Sequence, residues 1–191
     1  MPDQPNEGRR RSIRLKEYAY SQAGAYFVTI CTYGRACLFG EIESGLMRLN
    51  EYGKIVASEW MRSAEVRLEI ECDEFVVMPN HFHGIVRIVG ANDIRPNHVD
   101  AEDEERAYCH TPLRTPSRNI GAMVRGFKGA ASRRINGIRN SPGAPVWQRN
   151  YYEHVIRNDA DYNCIAEYVA NNPQRWMEDS LHPLFSLKIE R

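Results

Sequence analysis

The sequence predicts an α+β sandwich in which helices pack on a mainly antiparallel β-sheet. Short runs rich in β-branched and aromatic residues alternate with segments whose apolar residues recur at helical spacing. Their order along the chain is strand, hairpin, helix, strand, strand, helix, strand, helix. The chain has 191 residues, 42% of them hydrophobic, which suits one domain with its own core.

Four segments have the residue pattern of strands, and each ends at turn-forming residues. A short hairpin is also predicted around Glu43 to Gly45. The pair Pro79–Asn80 predicts the turn between the second and third strands. The four strands are AYFVTICT at 25–32, EIECDEFVVMP at 69–79, HFHGIVRIVG at 81–90 and VWQRNYYEHVI at 146–156.

Three segments have the apolar spacing of helices. The first follows Asn50, whose side chain is suited to an N-terminal cap. The second spans 117–136 and is amphipathic, with arginines roughly opposite its apolar side. The third spans 159–172, with Asn158 as its predicted cap and Pro173 directly after it.

The formal net charge is zero, but the charges are unevenly distributed along the chain. Residues 1–14 are expected to form a flexible basic arm. Residues 15–191 are predicted to form the single domain, with a polar insertion at about 91–116 that holds the acidic block DAEDEE. No Asp or Glu occurs between Ala107 and Tyr152.

Two basic stretches without acidic residues favour a polyanionic partner such as nucleic acid over a merely solvated surface. Contacts from arginine and lysine to phosphates would bind any strand, and would weaken steeply as salt rises. The candidate contacts are Arg9, Arg10, Arg11 and Arg14 in the arm, and Arg118, Arg125, Lys128 and Arg133 in the second predicted helix.

Composition also indicates the compartment. The N-terminal sequence lacks the apolar segment of a secretory signal, and no stretch is long and apolar enough to span a membrane. We therefore expect a cytoplasmic protein with no membrane partner. The five cysteines are scattered without a CxxC pair, which favours reduced thiols over a disulfide framework or a zinc ribbon.

The stretch PNHFHG places two histidines at the start of a predicted strand. Because side chains alternate along a strand, His81 and His83 project to one side and Phe82 projects to the other. Two imidazoles at this spacing can bind one metal ion, but a third protein ligand is then wanted. Taken alone, the motif favours a structural histidine pair whose hydrogen bonds are satisfied.

The last predicted helix carries a second pair of interest. Tyr168 and Asn172 lie four residues apart, so a phenol and an amide are stacked on the same helix face. Spacing alone favours a core aromatic for Tyr168 and a C-terminal cap for Asn172.

These motifs occur in an order that resembles the single-tyrosine transposases of the HUH nuclease superfamily. MPNHFHGIV is followed by a basic helix, then VWQRNYYEHVIRN, then YVANNP. The branch that these motifs resemble most is the REP-associated tyrosine transposases, and the similarity extends from about Tyr26 to Trp176. It implies a ferredoxin-like sheet with helices packed on it. The resemblance supplies no role for the basic arm or for the polar insertion.

The resemblance also implies roles for site residues. His81 and His83 would be metal ligands, Tyr168 the nucleophile and Asn172 the third ligand, with one Mg²⁺ or Mn²⁺ bound. Tyr168 would attack a DNA phosphodiester, forming a phosphotyrosyl link to the 5′ side of the break that allows rejoining. The implied substrate is single-stranded DNA carrying a REP-like hairpin. The protein would act as a monomer or a homodimer.

Other residues and other functions stay open from the sequence. Gln148, Tyr152 and His154 share one face of a predicted strand and are candidates to support the site, whereas Tyr151 is expected in the core. One alternative function is a hairpin DNA-binding protein with little or no catalysis. Another is a metal-dependent phosphoesterase whose nucleophile is water.

Overall fold

A computed structural model describes residues 23–89 and 119–184. The predicted arm at 1–14 and the insertion at 91–116 lie outside the described residues, as do Arg9, Arg10, Arg11, Arg14 and Arg118. Within the described ranges, the elements follow the predicted order. They are β1 (Gly24–Cys31), β2 (Gly40–Glu43), β3 (Leu46–Leu49), α1 (Glu51–Glu65), β4 (Ile70–Val77), β5 (His81–Ile88), α2 (Ile120–Ile138), β6 (Tyr152–Ile156) and α3 (Asp159–Asn171).

The main sheet has four strands in the order β4-β5-β1-β6, and every neighbouring pair is antiparallel. The hairpin β2-β3 forms a separate two-stranded sheet. Without that hairpin, the order along the chain is βαββαβ, which is the ferredoxin-like arrangement. The predicted fold class is therefore confirmed.

The main sheet is covered on both faces. Helices α1 and α2 cover one face, where the larger apolar cluster includes Val28, Trp60, Phe82 and Phe127. Helix α3 covers the other face through a smaller cluster of Phe27, Ile85, Ile156 and Val169. Alternation along β1 and β5 sends successive side chains to opposite clusters.

Asparagine caps begin all three helices. Asn50 Oδ1 accepts a hydrogen bond from Gly53 N at 3.0 Å, and Asn158 Oδ1 accepts one from Asp161 N at 2.9 Å. Both caps were predicted, because an asparagine side chain satisfies a backbone N–H that the first turn leaves unpaired. Over residues 23–89 and 119–184, no helix combines the length and the apolar character needed to cross a membrane.

The last strand is shorter than predicted. The sequence predicts a strand over 146–156, but β6 begins at Tyr152 and only an isolated bridge joins Trp147 to Thr32. The reason lies in α2, where the Lys128 ammonium donates hydrogen bonds to backbone carbonyls. The acceptors are the carbonyls of Gln148, Arg149 and Asn150. These carbonyls turn towards one ammonium group and are lost to the ladder.

Candidate active site

The two histidines lie at the end of the sheet where β5 begins, on the face covered by α3. His81 pairs with Cys31 and His83 pairs with Thr29 in the antiparallel register with β1. The two imidazole centroids are 4.5 Å apart. Both rings are buried, at 0% and 2% exposure. The strand alternation that the sequence predicts thus brings both rings to one place.

Asn80 determines how His81 is oriented. The Asn80 amide nitrogen donates to the carbonyl of Leu181 at 2.8 Å and to that of Arg35 at 3.3 Å. The amide oxygen therefore faces His81 Nδ1, 2.8 Å away. Because this oxygen can only accept, the proton of His81 is on Nδ1. His81 Nε2 is left with a lone pair directed into the site.

His83 is held from three sides. Its Nδ1 lies 2.8 Å from Thr29 Oγ1, and its Nε2 lies 3.2 Å from the Tyr168 hydroxyl. The Phe27 ring stacks on the imidazole with centroids 5.3 Å apart. Both partners are hydroxyls, which can donate or accept. In the tautomer with its proton on Nδ1, His83 donates to Thr29 and accepts from Tyr168 at Nε2, and both imidazoles then present Nε2 to the same region.

Helix α3 brings the second predicted pair to the histidines. Tyr168 is 41% exposed but contacts His83, whereas Asn172 is 3% exposed at the C-terminal end of the helix. The Asn172 amide influences the pKa of both His81 and Tyr168, so it lies close to both side chains. The i, i+4 spacing places both groups on the face that packs on the sheet.

Asp179 is a site residue that sequence reasoning missed. After α3 the chain folds back, and Asp179 Oδ2 comes to 3.6 Å from His81 Nε2. Potential ligand atoms of His81, His83 and Asp179 all lie within 4.8 Å of one another. Asp179 follows a short 3₁₀ turn in an irregular segment, where no periodic pattern indicates the direction of a side chain.

The polar atoms of this site fit a cation. Three buried side-chain atoms of this site have no hydrogen-bond partner among the described residues: His81 Nε2, Asn172 Oδ1 and Asp179 Oδ2. Each is an acceptor, and buried acceptors that lack a donor are costly. One metal ion would satisfy all three, because imidazole nitrogen and amide or carboxylate oxygen are ordinary ligands. The group His81, His83 and Asp179 could therefore hold a metal ion.

Burial sets the ionisation of the site. Desolvation is the main cause that lowers the pKa of His81 to about 4, against the opposing effect of the Asp179 carboxylate. Burial, and then the neighbouring His81, lower the pKa of His83. Neutral imidazoles result, and neutral imidazole is the form that binds metals. Burial is also the main cause that raises the pKa of Tyr168, with Asp179 contributing, so the phenol is protonated at neutral pH.

An open cleft of about 450 Å³ gives access to the site. Two of the three predicted supporting residues, Gln148 and Tyr152, line this cleft together with Tyr168 and His83. The third, His154, does not, because its Nε2 lies 3.1 Å from Asp161 Oδ2 at the start of α3. Tyr151, expected in the core, is half-buried: it packs against the larger apolar cluster and also lines the cleft.

The basic helix lies away from the cleft. Arg125 and Arg133 are exposed on α2, which covers the opposite face of the sheet. Lys128 points instead to the three carbonyls that precede β6, and two of those residues, Gln148 and Asn150, line the cleft. Its ammonium therefore supports a wall of the cleft.

Comparisons with known proteins give one sequence relative. An uncharacterized protein of Haemophilus influenzae is 39% identical over 182 residues, which cover 91% of this chain and 93% of the relative. The chain belongs to the same family as that protein. No family model matches the sequence.

Comparison with solved structures identifies a protein with a similar fold. A REP-associated tyrosine transposase, solved bound to a REP hairpin, is similar with a TM-score of 0.55. The match covers 94% of this chain and 87% of that structure, at 19% sequence identity. The chain thus has the fold of a REP-associated tyrosine transposase.

Proposed function

We propose that this protein is a metal-dependent transposase of the HUH single-tyrosine type, which cleaves and rejoins single-stranded DNA. One observation carries the proposal. The Tyr168 hydroxyl lies 3.2 Å from His83 Nε2, beside three buried acceptor atoms that have no hydrogen-bond partner among the described residues. A phenol in an open cleft, next to acceptor atoms that could bind a metal ion, is suited to attack on an anionic phosphodiester.

The metal ligands would be His81, His83, Asn172 and Asp179. Asp179 is an addition to the set that the sequence implies, and its carboxylate would offset part of the charge of a divalent ion. Two oxygen donors favour Mg²⁺ or Mn²⁺, and the imidazoles make Mn²⁺ the better fit of the two. When bound, such an ion supplies neutralisation of the charge that develops on the phosphoryl oxygens.

Tyr168 would be the nucleophile. Its oxygen forms a bond to phosphorus while the bond from phosphorus to the 3′ oxygen breaks, which yields a 5′-phosphotyrosyl link and a 3′-hydroxyl. The total number of phosphoester bonds is unchanged. A 3′-hydroxyl can therefore attack the phosphotyrosine, restore the phenol and rejoin a strand without another energy source.

The phenol proton has to leave as the bond to phosphorus forms, because the pKa of Tyr168 is raised. His83 Nε2 is the acceptor within hydrogen-bond distance while its lone pair is not used by a metal. When that lone pair binds a metal, the proton goes to solvent, which reaches the half-exposed ring.

Hairpin-forming single-stranded DNA is the proposed substrate class. Support comes from the transposase of the same fold that was solved with a REP hairpin. Arg125 and Arg133 would contact phosphates at a distance from the cleaved position, since both are exposed on the opposite layer. The arm residues Arg9, Arg10, Arg11 and Arg14, together with Arg118, are proposed as further phosphate contacts. Tyr168 and the ligands belong to one chain, which supports activity as a monomer.

The test is a covalent adduct. A panel of single-stranded hairpin oligonucleotides is incubated with the protein, with and without Mn²⁺, and separated under denaturing conditions. We expect a protein–DNA adduct with wild-type protein and Mn²⁺, and none with Tyr168→Phe. Tyr152→Phe is the matched control, because Tyr152 is an exposed tyrosine of the same cleft.

Each other outcome points to a different function. An adduct that survives Tyr168→Phe and is lost in Tyr152→Phe reassigns the nucleophile. Cleavage that never forms an adduct and is unchanged in Tyr168→Phe indicates a phosphoesterase that uses water. Tight hairpin binding without any metal-dependent cleavage indicates a binding protein.

A further inference from the structure

The loop that follows β1 is hydrogen-bonded to Asn80, the residue before His81. The Thr32 backbone N–H donates to the Asn80 carbonyl at 2.9 Å, and the Thr32 hydroxyl lies within hydrogen-bond distance of that carbonyl and of the Ala36 carbonyl. In return the Asn80 amide nitrogen donates to the Arg35 carbonyl. Asn80 is also the residue that orients His81. One asparagine therefore joins this loop to a candidate metal ligand.

The two largest exposed side chains of this loop are those of Tyr33 and Arg35. Tyr33 is 61% exposed, an unusual fraction for an aromatic side chain. Arg35 is also exposed, and its φ of 55° is a backbone conformation that side chains other than those of Gly, Asn and Asp rarely adopt. Such backbone outliers concentrate at functional sites.

Arg35 gives this loop a positive charge. It takes part in none of the ion pairs formed among residues 23–89 and 119–184. The Arg35 guanidinium lies near enough to contribute to the lowered pKa of His81. It also opposes the rise that burial causes in the pKa of Cys31, which lines the cleft. This charge is therefore available to an anionic ligand that enters the site.

Two other cations near the cleft have partners: Lys128 donates to the carbonyls before β6, and Arg175 Nε lies 3.5 Å from Glu178 Oε2. Arg125 and Arg133 are on the other side of the sheet. Arg149 is exposed between two residues that line the cleft, and it takes part in no ion pair among the described residues. Arg35 differs from Arg149 because its loop is hydrogen-bonded to Asn80, the residue that orients His81.

We propose that Tyr33 and Arg35 form a strand-binding rim, in which Arg35 contacts a backbone phosphate and Tyr33 stacks on a base of single-stranded DNA at the cleft. An aromatic ring beside a cation is the combination that binds single strands with little sequence preference. The nature of the ligand rests on the proposed function. The residues that select the strand would then be distinct from those that carry out the chemistry.

The test measures binding without chemistry. A fluorescent single-stranded hairpin oligonucleotide is titrated with Tyr168→Phe protein in EDTA, by anisotropy, over a series of salt concentrations. In that background Arg35→Gln should weaken binding by about fivefold to tenfold, and should reduce the slope of log K against log salt by about 0.7. Tyr33→Ala should weaken binding by about tenfold or more, and Tyr33→Phe should restore it.

Arg62→Gln is the matched control, because Arg62 is an exposed arginine of α1 on the opposite layer. It should leave both affinity and salt slope unchanged. If the Arg35→Gln variant binds the oligonucleotide with wild-type affinity and salt slope, the proposed strand-binding rim is wrong, even if the adduct test succeeds. Binding that depends on Arg35 and Tyr33 while no adduct ever forms supports the rim and refutes the proposed chemistry. The two proposals therefore fail separately.

Discussion

The two faces of the central sheet are made from the same strands but are built for different purposes. Along β5, Phe82 and Val86 enter the apolar cluster beneath α1 and α2, whereas His81, His83 and Ile85 face α3. The first face is closely packed: a Cβ atom added at Gly84 would lie 2.7 Å from the Trp60 ring. The second face is apolar at one end only, and its other end holds the candidate site.

The two faces differ in the chemistry of their unpaired atoms rather than in burial, since His81 is as completely buried as Phe82, at 0% exposure. Among the described residues, the unpaired buried atoms of the first face include the indole donors Trp60 Nε1 and Trp147 Nε1, which a cation cannot satisfy. Those of the second face are His81 Nε2, Asn172 Oδ1 and Asp179 Oδ2, three acceptors gathered in one place. Leaving buried polar atoms unpaired costs about 1–3 kcal/mol each. A protein that retains three of them in one place sacrifices stability where a ligand would restore it.

The largest effect on stability is expected on the apolar face. Phe82→Ala should lower the free energy of unfolding by about 3–5 kcal/mol, because a fully buried ring leaves a cavity. His83→Gln, at the next residue, should cost only about 1 kcal/mol, because a similar volume and some hydrogen bonding remain. Urea unfolding of the two variants measures the contrast. Equal losses in both would mean that the two faces contribute alike.

Added metal should stabilise the folded protein through the polar face alone. Mn²⁺ at 100 times its Kd should raise the free energy of unfolding of the wild-type protein by about 2.7 kcal/mol, because the ion binds the folded state. EDTA should remove the gain, and so should Asp179→Asn combined with His81→Gln. Thermal unfolding with and without Mn²⁺ measures it. A gain that persists in the double variant would place the metal elsewhere.

Asn80 and Asn136 allow a comparison of two buried amides, one for each face. Asn80→Ala and Asn136→Ala should each cost about 1–3 kcal/mol, since each amide satisfies backbone carbonyls or a neighbouring side chain. Only Asn80→Ala should also weaken Mn²⁺ binding, by about 10–100-fold, because it removes the partner of His81 Nδ1. Titration calorimetry separates the two. Equal Mn²⁺ affinities would exclude the orienting role of Asn80.

The smallest effect on stability is expected on the outer surface of α2. Arg125→Gln with Arg133→Gln should change the free energy of unfolding by no more than about 0.5 kcal/mol, because both side chains are exposed. DNA binding should weaken alike for all sequences, with a shallower salt slope. Adduct yield at saturating DNA should be unchanged. A loss of adduct at saturation would bring these arginines into the reaction itself.

Much of the fold was predictable because its signals are local. Helical spacing, asparagine caps and the Pro79–Asn80 turn are each encoded within a few residues, and the structure contains the corresponding elements. The error in β6 has a remote cause. Lys128 draws the backbone of residues 148–150 out of the strand, and no pattern within 146–156 indicates a partner on another helix.

The residues of the candidate site also fall into two groups, those that local patterns predict and those that only tertiary contacts place. Strand alternation predicts that His81 and His83 face one side, and helix periodicity predicts that Tyr168 and Asn172 do too. The sequence could not indicate Asp179, whose approach to His81 depends on how the chain returns after α3. Nor could it indicate that His154 would be drawn to Asp161 and away from the cleft.

By itself, the sequence determined the elements, their order and the face that each periodic side chain occupies, because these follow from backbone geometry over one or two turns. The tertiary structure alone decided which faces meet. The strand order β4-β5-β1-β6 brings α3 over the histidines and α2 to the opposite layer. Asp179, Asn80 and the proposed rim residues Tyr33 and Arg35 lie in turns and irregular segments, where position is set by contacts between parts of the chain that are distant in sequence.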